Sequence, residues 1–224
     1  MARNPQVSRM SHVQRAPRKV LGIDTSVPIR VALMQSRDAS FWHARVQPII
    51  RASTEVRADK KWDWRIFRRV LPLSQRLQRR RCLALTTFAE NANGDAVPVA
   101  MHLLIERYAH LPDHAQRATF IWFLCGMPKE GYSQFDIGGV PSMGRVCIDI
   151  ALTASKYLGN FGRIGLHAAP AGGDRLRAFY ENHCKLLNLD TSSPLPALHA
   201  NDGGFFYTER ELADLLLKDL DYLR

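Results

Sequence analysis

The sequence feature best suited to bind an anion is a glycine-rich turn directly before an apolar helix. Residues 138–146 read GGVPSMGRV. The first amides of a helix have no partner within the helix and carry about half a positive charge, so they attract a phosphate without any side chain. Gly144 would let a ligand approach the backbone, and the Arg145 side chain would add an ion pair. The pattern predicts a phosphate-binding helix end; the alternative is that the glycines only separate two elements.

Other side chains that could transfer protons are dispersed along the chain. Three of them, Glu90, His102 and Glu106, lie on one predicted hairpin. His167 lies in a short predicted strand and is either a hydrogen-bonded core residue or a group that faces a cleft. Cys125 has no histidine or aspartate near it in sequence, so we interpret it as a packing residue. The four cysteines form no CxxC pair. This spacing predicts neither a metal site nor disulfides and is typical of a reducing compartment such as the cytoplasm.

Periodicity and turn signals predict the elements that would position these residues. Asn93-Gly94 between two β-prone runs is a strong hairpin signal, and the nearly continuous apolar run 118–127 indicates a strand buried on both faces. The predicted strands are 82–90, 97–107, 118–127, 163–168 and 205–208. The predicted helices are 57–81 (bent or broken at Pro72), 143–158 (with Ser142 as N-cap), 174–187 and one from Glu209.

Positive charge is concentrated in two stretches. The chain has 31 Lys and Arg against 21 Asp and Glu, a net charge of +10, which attracts nucleic acid, acidic protein surface or anionic cofactors. Residues 1–19 contain no acidic side chain, which predicts a flexible basic arm; a transit peptide is the alternative. The helix over 57–81 has an apolar face, with Trp62 and Trp64, and a basic face. That basic face is either simply solvated or a surface for nucleic acid or an acidic partner, formed by Arg65, Arg68, Arg69, Arg76 and Arg80.

Length and composition predict one domain over 20–224. The chain has 224 residues, 46% of them hydrophobic, which is enough for one sizeable core. No apolar run reaches the roughly 18 residues that span a bilayer, so we expect no membrane partner. A homodimer is left open beside a monomer.

The order of hairpin, buried strand, glycine turn, helix, strand and helix resembles the GNAT acyltransferase superfamily. Two motifs carry the resemblance: GVPSMGRV, at the place of the family's pyrophosphate turn, and AFYENHCKL over 178–186, at the place of its tyrosine motif. The resemblance implies an α/β fold, a GNAT-like three-layer α/β sandwich with a mixed, mostly antiparallel central sheet. It also implies acetyl-coenzyme A (acetyl-CoA) as cofactor. The cofactor-binding residues that it implies are Leu124, Gly126, Ser142, Met143, Gly144, Arg145 and Val146.

The resemblance also implies catalytic roles. Tyr180 would be the general acid for the coenzyme A thiolate. Glu106 is our candidate for the general base, since the strand 118–127 contains no carboxylate or histidine. The implied activity is transfer of an acetyl group to a primary amine, on a protein or an aminoacyl-tRNA. Pro141 and Gly173 depart from the family pattern and favour the alternative, an inactive GNAT-like module that binds nucleic acid or a partner protein.

Overall fold

A mixed β-sheet forms the centre of the molecule. The computed structural model describes residues 18–22, 25–78, 81–138, 143–196 and 200–223. In these ranges eight strands form one sheet in the order β1-β2-β3-β4-β5-β6-β8-β7, and β5 and β6 are its parallel neighbours, with antiparallel pairing elsewhere. The strands are β1 Arg18–Gly22, β2 Thr25–Leu33, β3 Cys82–Glu90, β4 Ala96–Ala109, β5 Arg117–Gly126, β6 Ile164–His167, β7 Leu187–Asn188 and β8 Phe205–Tyr207.

Helices cover the sheet. They are α1 Ser36–Phe41, α2 Gln47–Ala52, α3 Trp64–Gln78, α4 Lys129–Gln134, α5 Met143–Tyr157, α6 Gly173–Ala178 and α7 Arg210–Asp219. π-helical turns over Trp42–Val46 and Phe179–His183 join α1 to α2 and extend α6. Across the described ranges, each helix is too short or too polar to cross a bilayer.

The two faces of the sheet pack against different helices. On one face, the Thr86 hydroxyl donates to the Asp38 carboxylate of α1, and Phe123 stacks on Phe67 of α3 with ring centroids 4.2 Å apart. On the other face, Gly126 lies against Met143 of α5. The predicted three-layer α/β sandwich with a mixed, mostly antiparallel sheet is therefore confirmed.

The structure confirms the predicted hairpin and the helix after the glycine turn. Strands β3 and β4 pair around Asn93-Gly94, where Gly94 adopts a φ of 81° that favours glycine. The predicted burial of strand 118–127 on both faces is wrong for its second half. Trp122 is 39% exposed, because β5 loses its parallel neighbour at that point.

Three other predictions need correction. The helix predicted over 174–187 stops early, since Lys185 has a φ of 55° and Leu187 pairs with Tyr207 of β8. The helix predicted from Arg57 begins only at Trp64, and it continues through Pro72 without a break. The predicted arm overlaps β1, which begins at Arg18, while residues 1–17 lie outside the described ranges. Strands β1, β2 and β7 and helices α1, α2 and α4 were not predicted.

Candidate active site

Strands β5 and β6 run parallel and then diverge. Their last aligned pair is Ile121 with Leu166. On the other side of β5, consecutive residues of β4 skip one position: Leu104 aligns with Ile121, and Leu103 aligns with Phe123. Trp122 is therefore an extra residue in β5. Such a β-bulge bends a strand and increases its local twist. The bulge therefore stands at the position where β5 leaves β6.

An opening follows the bulge. Within the described ranges, residues 122–126 of β5 have no ladder partner in β6, and the side chains of Trp122, Phe123 and Leu124 are not fully buried. Helix α5 begins beside the end of β5, because a Cβ added to Gly126 would lie 3.2 Å from the Met143 Cγ. The first turn of α5 carries no acidic residue that would repel an anion. The opening thus lies beside the second half of β5, after the end of β6 at His167, with a helix N-terminus close to it.

The sheet has the mixed, mostly antiparallel pairing that the sequence resemblance implies, and in the described ranges its one parallel ladder, between β5 and β6, ends near the start of helix α5. The fold is GNAT-like. In this chain, the divergence coincides with a single extra residue in β5.

Comparison with known proteins finds similarity only among solved structures. No protein-family model and no curated protein matches the chain. Spermidine N-acetyltransferase from Vibrio cholerae in complex with CoA and spermine is 14% identical, with a TM-score of 0.47, over 83% of this chain and 97% of that chain. AtaTR bound with AcCoA is 10% identical, with a TM-score of 0.46, over 84% of this chain and 97% of that chain. The KacTA–DNA complex is 12% identical, with a TM-score of 0.41, over 69% of this chain and 85% of that chain.

Tyr180 lies buried close to the divergence. It sits in the π-helical turn after α6, and its ring centroid is 5.7 Å from that of Phe206, the β8 residue aligned with Leu166. Burial raises the pKa of the Tyr180 hydroxyl well above its usual value, with smaller contributions in the same direction from two cysteines and Asp59. The phenol is therefore neutral at physiological pH and retains a proton that it could donate.

Glu106 does not lie beside Tyr180. It follows Ile105, which aligns with Phe120 in the first half of β5, and its amide donates to the Arg81 carbonyl at 2.9 Å. Strands β4 and β8 are three steps apart in the sheet, or roughly 14 Å. The structure thus does not bring the two predicted catalytic residues together, and the base role of Glu106 stays a prediction.

The predicted cofactor residues cluster at the first turn of α5, but their side chains are engaged. A Cβ on Gly144 would overlap the Phe179 ring, so the bare face of this glycine accommodates that ring. The Arg145 Nη2 donates to the Asp219 Oδ2 at 2.7 Å, and its guanidinium lies over the Tyr222 ring. Met143 and Val146 are buried, Leu124 is half-buried, and Ser142 lies outside the described residues. The backbone, rather than these side chains, is what the turn offers to a ligand.

Sequence reasoning missed a buried ion pair at the end of β5. Arg57 donates from Nε to Asp59 Oδ1 at 3.0 Å and from Nη2 to Oδ2 at 2.6 Å, and the same Nη2 donates to the Gly126 carbonyl at 2.7 Å. The bonds and charge of Asp59 raise the pKa of Arg57 despite the opposing effect of burial, which is the largest single influence. Arg57 therefore fixes the last carbonyl of β5. Its only sequence signal was an Arg and an Asp two residues apart.

Three other candidates, His102, Glu90 and Cys125, are packed or exposed residues. The Nε2 of buried His102 lies 3.0 Å from the Thr87 hydroxyl, Glu90 is exposed, and burial raises the pKa of the Cys125 thiol, as expected of a packing residue. Among the described residues, no three His, Cys, Asp or Glu side chains come together as a metal ion would need.

The predicted basic surface is partly neutralised. Arg65 makes a bidentate pair with Asp63, the Arg68 Nε donates to the Met34 carbonyl at 3.3 Å, and Arg69 is exposed. The side chain of Arg76 and the whole of Arg80 lie outside the described residues. Trp64 is buried in an aromatic cluster with Trp62, so both tryptophans pack rather than offer a stacking surface.

Proposed function

We propose that this protein is an N-acyltransferase that moves an acetyl group from acetyl-CoA to a primary amine. The observation that carries the proposal is the divergence of β5 and β6 at the Trp122 bulge, with the N-terminus of α5 at the opening. An extended thioester can lie between two strands only where the ladder between them is open. A β-bulge interrupts the ladder locally, so the backbone of β5 at Trp122 can pair with such a ligand.

The residues at the opening fit acetyl-CoA. Its pyrophosphate would be held by backbone amides at the first turn of α5, Met143 to Val146, which itself contains no acidic residue; the nearby Asp219 carboxylate is paired with Arg145. Leu124 and Gly126 would contact the extended arm from β5. When bound, acetyl-CoA supplies an activated acetyl thioester and a thiol leaving group. Arg57 keeps the Gly126 carbonyl in place, and Tyr180 supplies the proton that the departing sulfur needs.

The acceptor is a primary amine on a small molecule, a protein or an aminoacyl-tRNA. The net charge of +10 would draw an acidic carrier of that amine toward the protein. Of the arginines predicted to form the basic surface, Arg69 is the one that is exposed among the described residues. It would contribute to that attraction.

A thermal unfolding titration with acetyl-CoA tests the proposal. A ligand present at 100 times its dissociation constant stabilises the folded state by about 2.7 kcal/mol, which is a rise in Tm of roughly 5–10 °C for a chain of this size. Adenosine, which lacks the pyrophosphate and the thioester, should give no comparable rise. An unchanged Tm at millimolar acetyl-CoA would overturn the proposal.

Turnover of the Tyr180→Phe variant tests the acid role. We expect kcat to fall by roughly 10²-fold, since general acid catalysis contributes about that much, while the acetyl-CoA Tm shift is retained. Tyr157→Phe is the matched control, because Tyr157 lies at the other end of α5 from the opening. Equal kcat in wild type and Tyr180→Phe would remove Tyr180 from the mechanism.

One observation favours the second candidate, an inactive GNAT-like module. Phe179 fills the space beside Gly144, and Asp219 engages Arg145, so the side chains of the turn already have partners. If Phe179 closes the site, Phe179→Ala should produce an acetyl-CoA Tm shift that wild type lacks. A shift already present in wild type would dismiss this second candidate.

A further inference from the structure

A histidine backed by a carboxylate lies at the β6 side of the opening. His167 is the last residue of β6 and follows directly the pair at which β5 and β6 part. Its Nε2 is 3.0 Å from both carboxylate oxygens of Asp202, and its side chain is 31% exposed. We propose that His167, oriented by Asp202, is the general base that deprotonates the acceptor amine, an inference that rests on the acyltransferase function proposed above.

The contacts of His167 fix the plane of its ring. Its imidazole stacks on Phe205 of β8, with centroids 4.3 Å apart and planes 22° apart, and Gly204 packs close to its edge. A Cβ on Gly204 would lie 3.0 Å from the His167 Nε2, so this glycine makes room for the ring. Such stacking and close packing hold an imidazole in one orientation.

Asp202 determines which ring nitrogen is basic. A carboxylate only accepts hydrogen bonds, so the Nε2 in contact with it carries the hydrogen and leaves the lone pair on Nδ1. Burial raises the pKa of Asp202, but the Gly204 amide, the bond from His167 and the charge of Arg177 outweigh it and lower that pKa overall. The carboxylate is therefore ionised under the conditions in which the imidazole must accept a proton.

His167 and Tyr180 approach the opening from opposite faces of the sheet. Successive residues of a strand point to opposite faces, so Phe205, which stacks on His167, and Phe206, which packs on Tyr180, lie on different sides. Both phenylalanines pair with the end of β6, Phe206 with Leu166 and Phe205 with His167. A base and an acid thus flank the same point of divergence, which is the geometry that Glu106 does not provide.

The proton balance of the reaction needs both groups. His167 takes one proton from the acceptor ammonium at Nδ1, and the freed nitrogen lone pair forms the C–N bond to the thioester carbonyl carbon. The C–S bond breaks with its electron pair on sulfur. Tyr180 protonates that sulfur, and the second proton of the new amide nitrogen restores the tyrosine through solvent. His167 then releases its proton to water, which is the one proton that the overall reaction yields.

The test compares His167→Asn, Asp202→Asn and the control His114→Asn. His114 is an exposed histidine in the β4–β5 turn, before the first residue of β5. Acetyl transfer to spermidine, a lysine peptide and an aminoacyl-tRNA is followed as thiol release over a range of pH, alongside the acetyl-CoA Tm shift. The charged groups that face the imidazole among the described residues are Asp202 itself and, behind it, Arg177, whose Nη2 donates to the Asp202 carbonyl.

We expect His167→Asn to lower kcat by roughly 10²-fold and to abolish the acidic limb of the pH profile, with the acetyl-CoA Tm shift unchanged. Asp202→Asn should lower kcat by about tenfold and keep that limb, while His114→Asn should match wild type. If His167→Asn had the same kcat and pH profile as wild type, the base role of His167 would be overturned and the proposed acyltransferase function would stand. If wild type neither binds acetyl-CoA nor releases thiol, the proposed function and the base role both fail. If the His167→Asn variant does not fold, the kcat of Asp202→Asn still tests the role of the His167–Asp202 pair.

Discussion

Two Arg–Asp ion pairs of the same chemistry lie within one stretch of nine residues, 57–65. One pair is buried, and the other is largely exposed to solvent. Arg57 and Asp59 make a bidentate pair with their side chains 17% and 8% exposed. Asp63 and Arg65 have the same spacing and contacts of 3.0 and 2.7 Å, but their side chains are 19% and 43% exposed. The first pair also holds the Gly126 carbonyl at the end of β5, whereas the second faces solvent at the start of α3.

The difference teaches that burial, not geometry, determines what an ion pair contributes. A buried charge that loses its partner is left in a medium that solvates it poorly, whereas an exposed charge is rehydrated. We therefore expect the Arg57 pair to be part of the site and the Arg65 pair to be dispensable.

The largest expected effect is that of Arg57→Leu. This change leaves Asp59 buried without its partner and frees the Gly126 carbonyl, so we expect the free energy of unfolding to fall by about 3–5 kcal/mol. Chemical denaturation measures that loss. The acetyl-CoA Tm shift should also diminish in this variant, because β5 loses its fixed end. A loss no larger than that of an exposed pair would contradict the comparison.

Replacing both partners should recover part of that loss. In Arg57→Leu/Asp59→Leu no charge remains unpaired, so we expect the double variant to be more stable than Arg57→Leu by at least ~2 kcal/mol. Denaturation of the two variants side by side measures the difference. If the double variant were the less stable one, the stability would reside in the packing around Asp59 rather than in its charge.

The contribution of the exposed Asp63–Arg65 pair to stability should be measurable at acid pH. The hydrogen bonds from Arg65 lower the pKa of Asp63 from 3.8 to about 2. A carboxyl whose pKa is depressed by folding stabilises the protein above its unfolded pKa, and that stability is lost as the pH falls through about 2. Asp63→Asn should therefore flatten the fall in Tm between pH 4 and pH 2 relative to wild type. An unchanged acid profile would show that the bond to Arg65 does not persist in solution.

The smallest expected effect is that of Arg65→Leu at neutral pH. An exposed pair contributes about 0–1 kcal/mol and is screened by salt, so Tm should fall by no more than about 4 °C and depend less on salt concentration. Thermal unfolding at low and high salt measures this. A fall in Tm as large as that of Arg57→Leu would show that burial does not distinguish the two pairs.

Much of the sheet was predictable because its signals are local. Asn93-Gly94 specifies a tight turn, and the apolar spacing of Val146, Ile150 and Ala154 specifies a helix face that is buried in α5. The alternation of Val27, Ile29 and Val31, all buried in β2, was also available in the sequence. The early end of the helix at Lys185 was not predictable from the sequence, because the pairing of β7 with β8 joins residues about twenty positions apart.

The sequence by itself determined the hairpin, the strand that follows it, the helix after the glycine turn and the strand before Tyr180. Tertiary structure alone decided the bulge at Trp122, since a register shift depends on how β4 and β5 pack. It also brought His167 to Asp202, 35 residues later, and buried Arg57 while leaving Arg65 exposed. Periodicity and turn chemistry act over a few residues, whereas desolvation of a charge and alignment of a proton acceptor depend on segments that meet only in the folded chain.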